Sequence, residues 1–230
     1  QDFFVNHRPF ASSVTTDPGS PTKASTLTCT YTFNDFDVGD TERVAAALFQ
    51  WYKKIGGAGA FTVVAGQTAS TLSNTNFIEA DVLNCRARVT DSEGFPDDIY
   101  VNSTNFVTIQ NSAPNAPTAL LVQDGSAPNF DTGLVAYDGT GGYDTHMRTP
   151  RIRWTKGTDL DTGDAISTYL CFSFAPGGCN LGVKTSFSEY NLSSGLLDYI
   201  GSSRTYYVNI TANDGTANSS RYTKFFNLTN

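Results

Sequence analysis

The chain has 230 residues, a formal net charge of −7 and only 16% charged residues, which argues against the basic face that nucleic-acid binding requires. Hydrophobic residues make up 39% and aromatic residues 13%, enough for packed cores, and the length suits two domains of about 115 residues each. No apolar run approaches the roughly 20 residues needed to span a bilayer, and a start at Gln1 without a leader reads as a processed protein or an excised part of one.

In chain order, residues 1–10 open with Phe3, Phe4 and Val5, too apolar for a free tail. The stretch from Phe3 to Pro9 has the flavour of Phe106 to Pro114, a last strand running into a linker; three readings stand open, a strand that completes a sheet in a neighbouring subunit, an edge strand of the first domain itself, or a remnant of a longer tandem array. The first domain is expected over 11–112, with strands near 11–17, 25–33, 47–54, 60–65, 69–78, 83–90 and 99–110. Only Thr41 to Leu48 leans helical, and it is too short to stand alone. The stretches Leu27–Phe33 and Leu83–Thr90 alternate apolar and polar residues, which sends one set inward: Leu27, Cys29, Tyr31 and Phe33, and Leu83, Cys85, Ala87 and Val89. An inward cysteine pair with Trp51 between them in sequence predicts two sheets pinned by one disulfide against an indole.

Asn111 to Thr118, with Pro114 and Pro117, reads as a short, stiff, extended connector. The second domain is expected over 113–230, with strands near 117–123, 132–137, 150–155, 166–174, 180–185, 195–200, 205–213 and 219–229. Cys171 and Cys179 flank Phe172 to Gly178 and could close a small loop. Pairing within each half, Cys29 with Cys85 and Cys171 with Cys179, is the economical choice among three connectivities. It implies an oxidising, extracellular compartment.

The two halves repeat one another. Asp35-Phe36-Asp37-Val38-Gly39-Asp40 and Asp159-Leu160-Asp161-Thr162-Gly163-Asp164 both read DxDxGD, and Asp91 and Asp214 recur at nearly the same offset. Under that offset Cys85 falls on Val208 and Leu83 on Tyr206. Trp154 lies near the place of Cys29, so an indole fills the second core where the first has a disulfide.

Enzymatic chemistry finds no support in the motifs. His7 and His146 have no metal-ligand spacing, and there is no GxSxG elbow, HExxH or phosphate loop. Gly139 to Gly142 lacks the following helix and lysine and reads as a turn. Arg148, Arg151 and Arg153 read as a solvated strand face.

The acidic loops are the better candidates. Asp35, Asp37 and Asp40 follow the second strand, and Asp91 and Glu93 follow the sixth. Those loops share one end of such a sandwich. Asp159, Asp161, Asp164 and Asp214 repeat the arrangement. Two accounts stand open: clustered carboxylates paired with Ca²⁺, which takes six to eight oxygens, or aspartates capping turns through their own backbone. Because each domain's first strand enters at that end, the Asp159 cluster should abut the linker and the Asp35 cluster should face whatever precedes residue 11. Five sequons, at Asn102, Asn191, Asn209, Asn218 and Asn227, are candidates for N-glycans. Alternation places Asn102 and Asn209 outward.

With these residues in view, Thr26–Asp35, Gln50–Lys54 and Asn84–Asp91 resemble the Ig-like repeats of archaeal and some bacterial cell-surface proteins. Arg153-Trp154, the Asp159–Asp164 motif and Tyr206–Gly215 resemble their fibronectin type III-like companions. The resemblance covers nearly the whole chain and implies an all-β fold, two tandem Ig-like/fibronectin III-like β-sandwiches joined by a short Pro-containing linker. It also implies a cell-surface setting, since such modules occur in adhesins, surface layers, filaments and enzyme accessory regions; the surplus N-terminal strand adds the expectation of a filament or layer subunit, self-associating head to tail in the manner that grows fibres. The alternative is a glycan- or protein-binding adhesion module, served by exposed aromatics such as Tyr52, Tyr143 or Tyr190.

Overall fold

The computed structural model describes residues 6–124, 135–136, 150–191 and 203–229. Phe3, Phe4, Val5, Gly139 to Gly142, Tyr143, His146, Arg148 and the strand expected at 195–200 lie outside the described residues. The chain divides into two units, Gln1–Ser112 and Ala113–Asn230. The protein is all-β, and the two units share one strand order apart from an extra edge strand in the second.

The first unit runs β1 (Phe10–Asp17), β2 (Leu27–Asn34), β3 (Leu48–Lys54), β4 (Thr62–Val63), β5 (Thr71–Leu72), β6 (Val82–Arg88), β7 (Val101–Asn102) and β8 (Val107–Thr108). One sheet has the order β1-β2-β5; the other has β4-β3-β6-β7, with β8 also pairing β6. Period-two alternation drives the core as expected. Leu27, Trp51, Leu83, Cys85, Ala87 and Val89 are fully buried, with Cys29 almost so. The Cys29–Cys85 disulfide (S–S 2.00 Å) joins β2 of one sheet to β6 of the other. Trp51 lies directly opposite Cys85 in the β3–β6 ladder, and its indole N–H donates to the Ala69 carbonyl at 3.0 Å. Burying an indole is worth having only if that N–H is satisfied.

Three expectations are corrected here. The helical leaning of Thr41 to Leu48 amounts to one 3₁₀ turn, Val44–Ala46. The strand expected over 69–78 shrinks to β5, because Ser73 to Asn76 turn back on themselves through a 3₁₀ turn and the Asn76 amide. The long last strand over 99–110 is interrupted at Ser103 to Phe106. There the Asn105 side chain takes the place of a backbone pair: its Oδ1 accepts from the Thr16 N–H and its Nδ2 donates to the Thr16 carbonyl, both at 2.8 Å. That amide closes the seam between β1 and the last strand.

The second unit runs β9 (Thr118–Asp124), β10 (Val135–Ala136), β11 (Pro150–Thr155), β12 (Ser167–Ser173), β13 (Leu181–Thr185), β14 (Glu189–Asn191), β15 (Ser203–Asn213) and β16 (Tyr222–Thr229). Its sheets have the orders β10-β9-β11-β14 and β13-β12-β15-β16. With the two-residue edge strand β10 left out of the count and β7 and β8 taken together as the last strand, both units place their first, second and fifth strands on one sheet and their third, fourth, sixth and seventh on the other, the fibronectin III-like arrangement. Trp154 on β11 is buried and donates to Thr168 Oγ1 at 3.2 Å. Phe172 faces Val208 across β12–β15 in the same ladder relation as Trp51 to Cys85. The indole therefore moves from the third strand to the second when the disulfide is lost. Tyr206 is buried and packs against Phe174 with the rings tilted by 51°, centroids 5.2 Å apart. Each unit also bends its first strand at a left-handed residue, Ser13 and Ala119, both with φ 50°. A register shift in the adjoining ladder marks a β-bulge at each.

Cys171 and Cys179 form the second disulfide (S–S 1.98 Å), so the two bonds account for all four cysteines. This overturns the outward placement of Asn209. The loop that the disulfide closes folds over β15, leaving Asn209 only 2% exposed. Its Nδ2 donates to the Gly178 carbonyl and its Oδ1 accepts from Thr223 Oγ1, both at 2.7 Å. A glycan has no room there in the folded protein. Asn102, Asn191 and Asn218 are exposed; the Asn227 side chain lies outside what the structure describes.

The two disulfides differ in span, 56 against 8 residues. Loop-closure entropy then assigns about 4 kcal/mol to Cys29–Cys85 and about 2.5 kcal/mol to Cys171–Cys179. Each unit has one tryptophan, buried in its core, so the Trp154→Phe variant reads the first unit by fluorescence and Trp51→Phe the second. In denaturant melts, reduction should cost the first unit more than the second. Asn209→Ala should destabilise only the second, by about 1–3 kcal/mol, because it orphans the Gly178 carbonyl.

Candidate metal centres at the acidic loops

In each unit the loop after the second strand carries DxDxGD and folds the same way. The Asp37 N–H donates to Asp35 Oδ1 at 3.0 Å, and the Asp161 N–H donates to Asp159 Oδ1 at 2.9 Å. The glycine that follows is left-handed in both, Gly39 at φ 103° and Gly163 at φ 108°. A side chain would strain that conformation. The turn swings Asp40 and Asp164 back toward the loop after the sixth long strand. There Asp91 Oδ1 accepts from the Phe95 N–H at 2.7 Å, and Asp214 Oδ1 accepts from the Thr216 and Ala217 N–H groups, each at 2.6 Å. In the first unit an isolated bridge between Glu42 and Asp91 and the Arg43 N–H to Thr90 carbonyl bond tie the two loops together.

The outcome is two trios. Carboxylate oxygens of Asp35, Asp40 and Asp91 lie within 4.8 Å of one another, as do those of Asp159, Asp164 and Asp214. Loss of hydration and the neighbouring Glu93, Asp35 and Asp37 charges raise the Asp40 pKa. Loss of hydration and the charges of Asp159, Asp161 and Asp214 raise that of Asp164. In both, loss of hydration acts first and the neighbouring like charges add to it.

Two candidates fall outside the trios. Asp37 is held by His7, whose backbone N–H donates to Oδ2 at 2.5 Å and whose Nδ1 lies 2.9 Å from Oδ1. The hydrogen bond and the opposite charge lower the Asp37 pKa and raise that of His7. Asp161 is buried beside Asp164 without joining the trio of its own unit. The partnership of His7 with Asp37 was beyond sequence reading, since 30 residues separate them.

The acidic end is where the chain enters each unit. In the first, His7 grips the Asp37 loop, and Arg8 pairs with Asp98 at 2.8 Å and donates to the Pro96 carbonyl. In the second, the Asn115 N–H donates to the Thr158 carbonyl at 2.8 Å, beside Asp159. Gly157 makes this seat possible: a Cβ there would stand 2.0 Å from the Asn115 carbonyl oxygen.

The aromatic candidates for ligand capture fare poorly. Tyr52 is half-buried with Arg86 over its ring, 5.1 Å from the centroid, and Tyr190 is half-buried against the second core.

No family model matches the chain, and no curated protein matches it. Among solved structures it is similar to the crystal structure of the FN1-FN3 domains of chicken CNTN1. The TM-score is 0.37 and the identity 14%, over 97% of this chain and 67% of that one. At that score the likeness carries no argument, and the fold assignment rests on the strand order.

Gly157→Ala should force the entering segment off its seat at a cost of about 1–3 kcal/mol. In hydrogen exchange the Asn115 amide should lose protection while the β12–β15 amides keep theirs.

Proposed function

We propose that the chain is a non-catalytic structural subunit of an extracellular filament or surface layer. The observation that carries this reading is the apolar tip at the entry end of the first unit. Phe36 is 73% exposed and Val38 fully so, with Phe36 packed on the half-exposed Phe10 at 5.5 Å between ring centroids. An exposed apolar tip beside the chain's entry is the kind of patch that marks a protein–protein contact. The two disulfides and tandem repetition of one sandwich suit an extracellular building block. Among the described residues no helix is long and apolar enough to cross a membrane.

In this reading Phe3, Phe4 and Val5, which precede Phe10 in sequence, complete a sheet of the next subunit, in the head-to-tail manner that grows a fibre. Glycans on Asn102 and Asn191 would decorate exposed strand positions. The test is a chain lacking residues 1–6, followed by sedimentation under conditions where the whole chain polymerises. The truncated chain should remain monomeric while its melting is unchanged; polymers of undiminished length would refute the donor strand.

A further inference from the structure

We propose that each unit holds a calcium ion at its entry end, between Asp35, Asp40 and Asp91 in the first and between Asp159, Asp164 and Asp214 in the second. The inference stands apart from the filament reading. Turn-capping alone does not account for these carboxylates. It uses only one oxygen each of Asp35, Asp91 and Asp159. Asp91 is 0% exposed; its Oδ1 is taken by the Phe95 N–H, while its Oδ2 is buried with no hydrogen-bond partner among the described residues. Asp35 repeats the pattern, Oδ1 capping the Asp37 N–H and Oδ2 buried without a partner. So does Asp159, with Oδ1 on the Asp161 N–H and Oδ2 left over.

A buried carboxylate oxygen facing other carboxylates is costly unless something positive compensates it. Among the described residues the ion pairs are His7 with Asp37, Arg8 with Asp98 and Lys53 with Asp81, and none reaches Asp35, Asp40 or Asp91. What remains is a set of oxygen donors from two loops with a partly open side at Asp40 and Asp164. Among the described residues no nitrogen or sulfur ligand joins either trio, which disfavours zinc. Monodentate carboxylates with room for water suit the flexible coordination of Ca²⁺ better than the strict octahedron of Mg²⁺. The same loop geometry, left-handed glycine and leftover oxygen in both units make coincidental clustering a poor account.

The test uses the whole chain, stripped with chelator and titrated with CaCl₂ by calorimetry, alongside thermal melts. Extracellular calcium modules bind in the range of about 0.1–1 mM, so the titration runs to ~10 mM. The expected result is two ions per chain and a higher melting temperature in calcium than in chelator. Asp40→Asn and Asp164→Asn should each remove one ion, and the double variant both. Neither residue caps a turn through its side chain, so melting in chelator should stay the same or rise as repulsion is relieved. No heat together with identical melting in calcium and chelator would overturn the proposal. Two ions still bound by the double variant would overturn the site assignment, and an equal shift with MgCl₂ would overturn the choice of calcium.

Discussion

Everything in this protein hangs on holding two sheets face to face with one bulky ring between them. In the first unit that ring is Trp51, fully buried opposite Cys85 and hydrogen-bonded to Ala69, with the Cys29–Cys85 bond binding sheet to sheet. A small sandwich buries too little apolar surface to offset its conformational entropy with much to spare, so one cross-link over 56 residues matters. The second unit reaches the same end by packing. Trp154, Phe172, Tyr206 and Val208 fill its core, and its disulfide serves a local loop. The two solutions share a strand order because strand order fixes which residues meet, while the identity of the filling residues is free to vary.

That strand order also decides where charge accumulates. The loops after the second and sixth long strands must meet at the end where the first strand begins. Both carry aspartates, and in both units they converge. His7, Arg8 and Asn115 show the entering chain bound to the same loops. The loops therefore join three things at one place: the edge of the core, the acidic trio and the point of entry. Anything that neutralises the trio would also firm the attachment of the entering segment, which gives a cation a mechanical consequence without any chemistry at the ion.

Much of this was legible in the sequence, for reasons that can be named. Period-two alternation around Cys29 and Cys85 specifies both facing and pairing, and the DxDxGD repeat exposes the duplication directly. The failures are as instructive. Alternation says on which side of a sheet Asn209 lies but not whether that side is covered; the Cys171–Cys179 loop covers it. Spacing groups Asp37 with Asp35 and Asp40, but a histidine distant in sequence claims it. β14, Glu189–Asn191, has no apolar alternation and is held by pairing with β11, a tertiary cause invisible locally. Asn105 imitates a backbone pair with its side chain, so a strand pattern that looks continuous is broken.

The proposed role requires that the entry end of the chain make contact with another copy. Electron microscopy of the whole chain, purified without denaturant from its native surface, tests this most directly. The account predicts regular filaments or sheets whose repeat matches one two-unit length. Isolated two-bead particles at every concentration would contradict it.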